Sequence, residues 1–378
     1  MRIGVNTFQL HQRITGAGRF TKNLLRALAE QDRENEYVLF LRRDNAGYYS
    51  VNQDNFKNIE TKVTSEFRLK RIYREQYLLP KLAKEHNIDI FWSPSDISPA
   101  SLPCISIVTI HDLKRFVLPE EFPFFERNYY RIFLKRTARS SDLIFTVSES
   151  SGRDIMKYLD VPPERIVVAH NGLDPDMIDE DGVPFETLNR IHNVNRKYIL
   201  FVGQMIKSKN VPRMIRAFSQ CKEAKDYDLV LIGKQGAGTA EVTQTIRRED
   251  HSGNLKERIH LIPWVTAEQL VSFYKNASVL FYASLYEGFG FPLIEAMVNG
   301  LPIITSNVSS MPEVAGDAAV IVDPKDVGQM AESLGKVLTD HTCRENLIEK
   351  GYERFRTFSW ENTAKKYLAV FNRLKQNL

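Results

Sequence analysis

Short apolar runs alternate with longer amphipathic stretches along most of this chain, and the rhythm breaks only once. Runs over 3–7, 37–41, 88–93, 105–110 and 143–147 are rich in Val, Ile, Leu and Phe between polar or turn residues, which predicts buried strands. Between them, 19–31 sets Phe20, Leu24, Leu25 and Leu28 on one helical face, and 71–86 and 124–139 read as further helices. A fresh series opens at 198–203 and continues at 229–233, 259–263, 279–283, 303–305 and 319–322. Strands separated by helices imply parallel sheets built from right-handed crossovers. Over 174–196 the pattern fails: Asp174, Pro175, Asp176, Asp179, Glu180, Asp181, Gly182 and Pro184 stand among few apolar residues, which predicts an interdomain linker. The expected fold is α/β: two Rossmann-like doubly wound parallel-sheet domains, 1–180 and 181–359, facing an interdomain cleft at the carboxyl ends of their strands.

Composition narrows the classes. At 378 residues the chain is long enough for two such domains, and 43% hydrophobic with 26% charged residues is the balance of a soluble globular protein. A formal charge of +4 is too small to argue for nucleic acid. Cys104, Cys221 and Cys343 are widely spaced without a metal-ligand pattern, so they read as reduced, structural thiols of a cytoplasmic protein. The chain opens directly into a strand, so no signal peptide is expected, and no apolar stretch reaches the roughly 18 residues of a membrane span.

The chemistry concentrates at strand ends. The segment Glu287-Gly-Phe-Gly-Phe-Pro-Leu-Ile-Glu295 follows the apolar run 278–284. Gly288 and Gly290 admit conformations and close approaches that a Cβ resists. Pro292 suits the first turn of a helix over 293–299, which Gly300 and Pro302 end. Strand, glycine turn and helix start together make an anion site around Gly288, Phe289, Gly290, Phe291 and Pro292. A carboxylate beside such a site suits ribose or sugar hydroxyls rather than the phosphate. A second glycine loop, Thr15-Gly16-Ala-Gly18-Arg-Phe20, precedes the first long helix but lacks the third glycine and later acid of a dinucleotide site, so a nicotinamide cofactor is not expected. The pair His111-Asp112 ends another strand, where a histidine can equally be a core-edge residue. Gly203-Gln-Met-Ile-Lys207-Ser-Lys209-Asn210 sets cations after the first strand of the second series, where they would stabilise a departing diphosphate.

These motifs together resemble the retaining glycosyltransferases of family 4, which have the GT-B fold, and are similar to bacterial polysaccharide mannosyltransferases. The resemblance runs from the first strand to about residue 330 and includes Asn171-Gly172-Leu-Asp174 and the stretch Ser306-Asn-Val-Ser-Ser-Met-Pro-Glu313-Val-Ala-Gly316. It implies transfer of a hexose from a nucleotide sugar, GDP-mannose first, with UDP-glucose, UDP-N-acetylglucosamine and dTDP-rhamnose as other donors. The acceptor implied is a saccharide or lipid-linked saccharide. Residue by residue, His111, Glu287 and Lys209 take the catalytic roles, with His111 and Glu287 on the sugar and Lys209 on the leaving diphosphate. Gly16, Gly18, Gly203 and Lys207 join the glutamate turn in binding the donor, and Glu295 holds the ribose. The family usually offers an arginine where this chain has Ser208, so either Lys207 supplies a second charge or one cation serves alone. The resemblance implies no cofactor and no metal; Asp174-x-Asp176 and Asp226-x-Asp228 mimic a metal motif, one in the linker and one before a strand. It also implies that a last helix, 360–378, crosses back to the N-terminal domain.

On the acceptor side, Phe67-Arg-Leu-Lys-Arg-Ile-Tyr-Arg74 and the stretch 122–136 are basic and aromatic. Such faces lie either on anionic lipid, at the inner surface of a membrane, or simply over the core as solvated helices. A sugar- or nucleotide-binding protein, a GT-B epimerase and a phosphorylase are the other classes compatible with this frame.

Overall fold

The computed structural model describes residues 1–10, 16–64, 68–178, 181–251 and 253–376, with backbone alone at 68–72 and 176. The chain divides into two compact units, Met1–Gly172 with Ser359–Leu378, and Leu173–Phe358.

The first unit is built on β1 (Arg2–Asn6), β2 (Glu36–Arg42), β3 (Phe56–Thr61), β4 (Ile90–Ser93), β5 (Ile105–Ile110), β6 (Leu143–Thr146) and β7 (Ile166–Val168). They form one parallel sheet in the order β3-β2-β1-β4-β5-β6-β7, with Ile3 beside Tyr37 and Val108 beside Ile144. The order reverses direction between β1 and β4, which places a crevice beyond their carboxyl ends. Ile107, Val108, Phe145 and Ile144 are wholly buried, as expected of strands covered on both faces. Helix Trp360–Lys375 returns to this unit: its Tyr367 stacks on Phe145 and donates to or accepts from the Thr109 hydroxyl at 2.8 Å.

The second unit repeats the plan with β8 (Tyr198–Val202), β9 (Asp228–Ile232), β10 (Ile259–Ile262), β11 (Val279–Tyr282), β12 (Ile303–Ser306) and β13 (Val320–Val322), in the order β10-β9-β8-β11-β12-β13. All pairs are parallel, and the reversal falls between β8 and β11. Two strands escaped the hydrophobic pattern. β3 lies at the sheet edge and buries only Phe56 fully, so Lys57, Asn58 and Glu60 mask it; β7 is three half-buried residues long.

The stretch expected as a linker is not one. Helix Phe185–His192 lies within it and buries Leu188, and the Ser272 hydroxyl binds both Val183 N at 2.6 Å and Val183 O at 2.7 Å. Apolar Phe185, Leu188 and Ile191 do recur at helical spacing, but eight residues give the period too little length to stand out against the acids before them. Asp179 and Glu180 lie outside the described residues. The change of unit falls at Gly172 and Leu173 instead of 180 and 181. A Cβ on Gly172 would meet Trp360 N at 2.2 Å, so the outgoing and returning chains pass too closely here for any side chain.

Candidate active site

At the carboxyl ends of β8 and β11, on either side of the reversal in strand order, three side chains meet. Lys209 Nζ donates to Glu287 Oε1 and to the Tyr282 hydroxyl oxygen, both at 2.5 Å, and the Tyr282 hydroxyl donates to the same Glu287 oxygen at 2.8 Å. The two charged side chains are 15% and 14% exposed, so little water screens them. Burial pushes the Glu287 carboxyl up, but the Lys209 charge and hydrogen bond, with the Tyr282 and Ser284 hydroxyls, carry it below the ordinary glutamate value. Burial, then the Glu287 charge, raises the Tyr282 phenol far above its ordinary range, which keeps its proton on.

Local structure brings these groups together. Gly203 N bonds Ile232 O at 2.8 Å, and a Cβ on Gly233 would sit 2.0 Å from Gly203 O, so two glycines let the β8 and β9 loops touch. The chain then makes a single turn, Lys207–Lys209, closed by Asn210 at a φ of 60°. Asn210 Nδ2 donates to Ala283 O at 2.9 Å and Pro324 O at 2.7 Å, and Leu285 N donates to Ser208 O at 2.7 Å, which ties this turn to the segments that follow β11 and β13. Ser208 is wholly buried, whereas Lys207 is exposed and Lys209 turns to Glu287. Gly290, at a φ of 105°, caps helix Phe291–Val298, with Pro292 in its first turn. Phe289 is buried against Phe291 and Phe358, so it offers this turn its backbone rather than its ring. Glu295 is 2% exposed, and its Oε2 accepts from the Tyr274 hydroxyl at 2.7 Å.

In the first unit, His111 follows β5. Its backbone N donates to Asp96 Oδ1 and its Nε2 lies 2.9 Å from Pro94 O; because a carbonyl only accepts, Nε2 carries the proton in that bond. Phe20 packs edge-on at 4.8 Å, so ring and tautomer are both fixed. Asp112 accepts from Lys114 N at 2.9 Å, and burial followed by the Asp96 charge pushes its carboxyl up. Gly16 opens helix Gly16–Gln31 in open space, Gly18 is buried in its first turn, and Thr15 lies outside the described residues. Asp228 begins β9 and pairs with His260, and among the described residues no three His, Cys, Asp or Glu gather as a metal site.

Comparison with known proteins bears on the same segments. Residues 14–177 match the Glycosyltransferase Family 4 domain and residues 185–354 the Glycosyl transferases group 1 domain. The chain belongs to the family 4-like GT-B glycosyltransferases. This glycosyltransferase is 28% identical to the O-antigen chain mannosyltransferase B of Escherichia coli, over 99% of its own length and 100% of the relative's. It is 26% identical to the serotype-specific mannosyltransferase WbdA of Escherichia coli over 75% of its length, which is 35% of that larger protein. In fold it is similar to sucrose-phosphate synthase from Thermosynechococcus elongatus, with a TM-score of 0.77 at 17% identity, covering 100% of this chain and 99% of that one. A second likeness is to WaaG, a glycosyltransferase involved in lipopolysaccharide biosynthesis, with a TM-score of 0.72 at 17% identity over 98% and 99% of the two chains.

Of the residues singled out in the glycosyltransferase's sequence, the structure joins Lys209 to Glu287 and places Gly203, Gly288 and Gly290 on the same two loops, with Pro292 in the first turn of the helix that follows. Glu295 turns to Tyr274, and His111, Gly16 and Gly18 belong to the first unit. Sequence reasoning missed Tyr282, which reads as strand filler, and Asn210, whose signal was its place beside Lys209. It also missed Asp96 and a buried polar group at the end of β1, where Glu75 accepts from Asn6 Nδ2 and Gln9 Nε2, each at 2.9 Å. Among the described residues no helix is long and apolar enough to cross a membrane.

Proposed function

We propose that this glycosyltransferase moves mannose from GDP-mannose, with retention at the anomeric carbon, onto a saccharide or lipid-linked saccharide. The observation that carries the reading is the Lys209–Glu287–Tyr282 contact beside the start of helix Phe291–Val298. A departing diphosphate needs positive charge held ready, and Lys209 with the helix start supplies it. The donor phosphates would then compete with Glu287 for Lys209, leaving the carboxylate to the sugar hydroxyls. His111 orients the same hexose, and Glu295, held by Tyr274, takes the ribose. The acceptor attacks on the face of the leaving group, without a covalent enzyme intermediate. No step calls on a resident cofactor or metal. Mannose is favoured because the two relatives described above, similar over 99% and 75% of this chain, are named mannosyltransferases.

Free diphosphate released from several nucleotide sugars tests the site. The expected result is slow release that acceptor accelerates and that Glu287→Ala or Lys209→Ala lowers by about 100-fold, the scale of a lost charge stabiliser. Undiminished turnover in both variants would sink the assignment. For the donor, GDP should raise the melting temperature more than UDP or dTDP by linkage; the reverse order removes GDP-mannose.

For the membrane side of the partner reading, support comes from helix Phe124–Ser140. Phe124, Phe125 and Ile132 are 63%, 85% and 66% exposed. Lys135, Arg136 and Arg139 share its exposed side, and among the described residues none of them pairs with a carboxylate. Exposed rings and unneutralised cations together suit an anionic bilayer at the cytoplasmic face. Of the other basic stretch, Phe67 and the side chains 68–72 lie outside the described residues. Sedimentation with vesicles should show binding to anionic lipid, lost in Phe124→Ser/Phe125→Ser and in Lys135→Glu/Arg136→Glu. Equal binding to neutral vesicles, or none to anionic ones, removes this part.

A further inference from the structure

Nothing in β11 or in helix Phe291–Val298 fixes the backbone of Glu287, because it stands in the irregular turn between them. Its polar groups must find partners elsewhere, and they find them on the loop after β12. Glu287 N donates to Ser309 Oγ at 3.1 Å, and Ser309 Oγ donates to Glu287 O at 2.5 Å, so one hydroxyl serves both polar groups of that residue. Ser310 Oγ lies 3.1 Å from Glu287 O and 2.9 Å from Phe289 O, and its single proton serves one carbonyl at a time. Ser310 is wholly buried, so water does not compete for it. Met311 follows, its Cε filling the space where a Gly290 Cβ would lie, 2.4 Å away. Three consecutive side chains thus hold Glu287, Phe289 and Gly290.

The conformation of this brace is itself costly. Ser309 has a φ of 58°, in the left-handed region that a serine adopts only at an energetic cost. A residue kept there by its surroundings, at a site with aligned charged groups, points to a functional constraint. A glycine would relieve the backbone but could not bridge Glu287.

We propose that Ser309 and Ser310 are positioning residues for Glu287, acting through its backbone to set where its carboxylate stands against Lys209 and the bound sugar. The proposal rests on the reading of Glu287 as the sugar-side carboxylate. Loss of either hydroxyl frees the turn, lets the carboxylate drift from Lys209 and so misplaces a group that acts in the transition state.

The test is steady-state transfer by the full chain, with a melting temperature for each variant. Ser309→Gly removes the hydroxyl and relieves the φ, so it should melt no lower than the wild type while kcat falls about tenfold, the scale on which sub-ångström misplacement acts. Donor KM should change less than kcat, since the nucleotide is held by other residues. Ser310→Ala should lose a similar factor, and Ser310→Thr, which keeps the hydroxyl, should recover most of it. The acid limb of kcat/KM should move to higher pH in Ser309→Gly, because a carboxylate less closely paired with Lys209 protonates more readily. Wild-type kcat and an unmoved acid limb in both Ser309→Gly and Ser310→Ala overturn the proposal, as does a Ser310→Thr variant as slow as Ser310→Ala. Glu287→Ala in the same assay separates the two levels. If it transfers normally, the reading of Glu287 itself fails; if it is impaired while the serine variants are not, only the positioning role fails.

Discussion

Removing one member of the Lys209–Glu287 pair leaves the other charge mostly out of water, and this governs how both substitution and pH act on the protein. Glu287 sits below its ordinary value of 4.5, so the pair stabilises the fold above that pH and the contribution is lost as pH falls through the folded value. Lys209→Met should destabilise by about 3 kcal/mol at pH 7, the scale for breaking a buried ion pair, and the double variant Lys209→Met/Glu287→Gln should cost less. In the single variant the penalty should shrink on acidification, because burial now raises Glu287 and it folds protonated. Urea titration at pH 7 and pH 4 measures both effects; a double variant less stable than the single one contradicts them. Both charged residues were legible because each stands in a loop just past an apolar run. Tyr282 was not, since a tyrosine inside Val279–Tyr282 looks the same whether its hydroxyl meets core or site.

Between Tyr282 and Glu295 the strand, the glycine turn and the helix start act as one element. Gly290 combines a φ of 105° with contact against Met311, so two separate constraints hold it as glycine. Gly290→Ala is expected to cost about 1–3 kcal/mol through its backbone conformation. Adding Met311→Ala removes the clash but not the strain, so the pair should stay less stable than Met311→Ala alone by a similar amount, read from denaturant midpoints. Long apolar strands and the helix over Phe124–Ser140 could be read from periodicity, as could the short helix opening near Pro292. β3, β7 and helix Phe185–His192 could not. An edge strand needs few apolar residues, and an eight-residue helix gives barely two turns of pattern.

Each unit carries its own core, and the last helix belongs to the first. Tyr367 is wholly buried, its ring stacked at 3.6 Å on Phe145 and 5.2 Å from Trp92. Tyr367→Ala should therefore cost about 3–5 kcal/mol, as for a buried phenylalanine, and lower the melting of the first unit by of order 10 °C. A two-unit protein need not melt in one step, so calorimetry should show that transition move while the transition of the second unit stays. A uniform loss across both would contradict separate cores. The sequence by itself determined the two α/β series and the loops that bear Lys209, Glu287 and Gly290, because strand ends and glycine turns are local and each residue type advertises its own conformational needs. Only tertiary structure decided that Gly172 marks the change of unit. It alone brought Tyr282 and Lys209 onto one carboxylate oxygen, and set a strained serine from the next loop against the backbone of Glu287. Those facts depend on which strands lie side by side, and strand order is fixed by packing between segments that the chain itself keeps far apart.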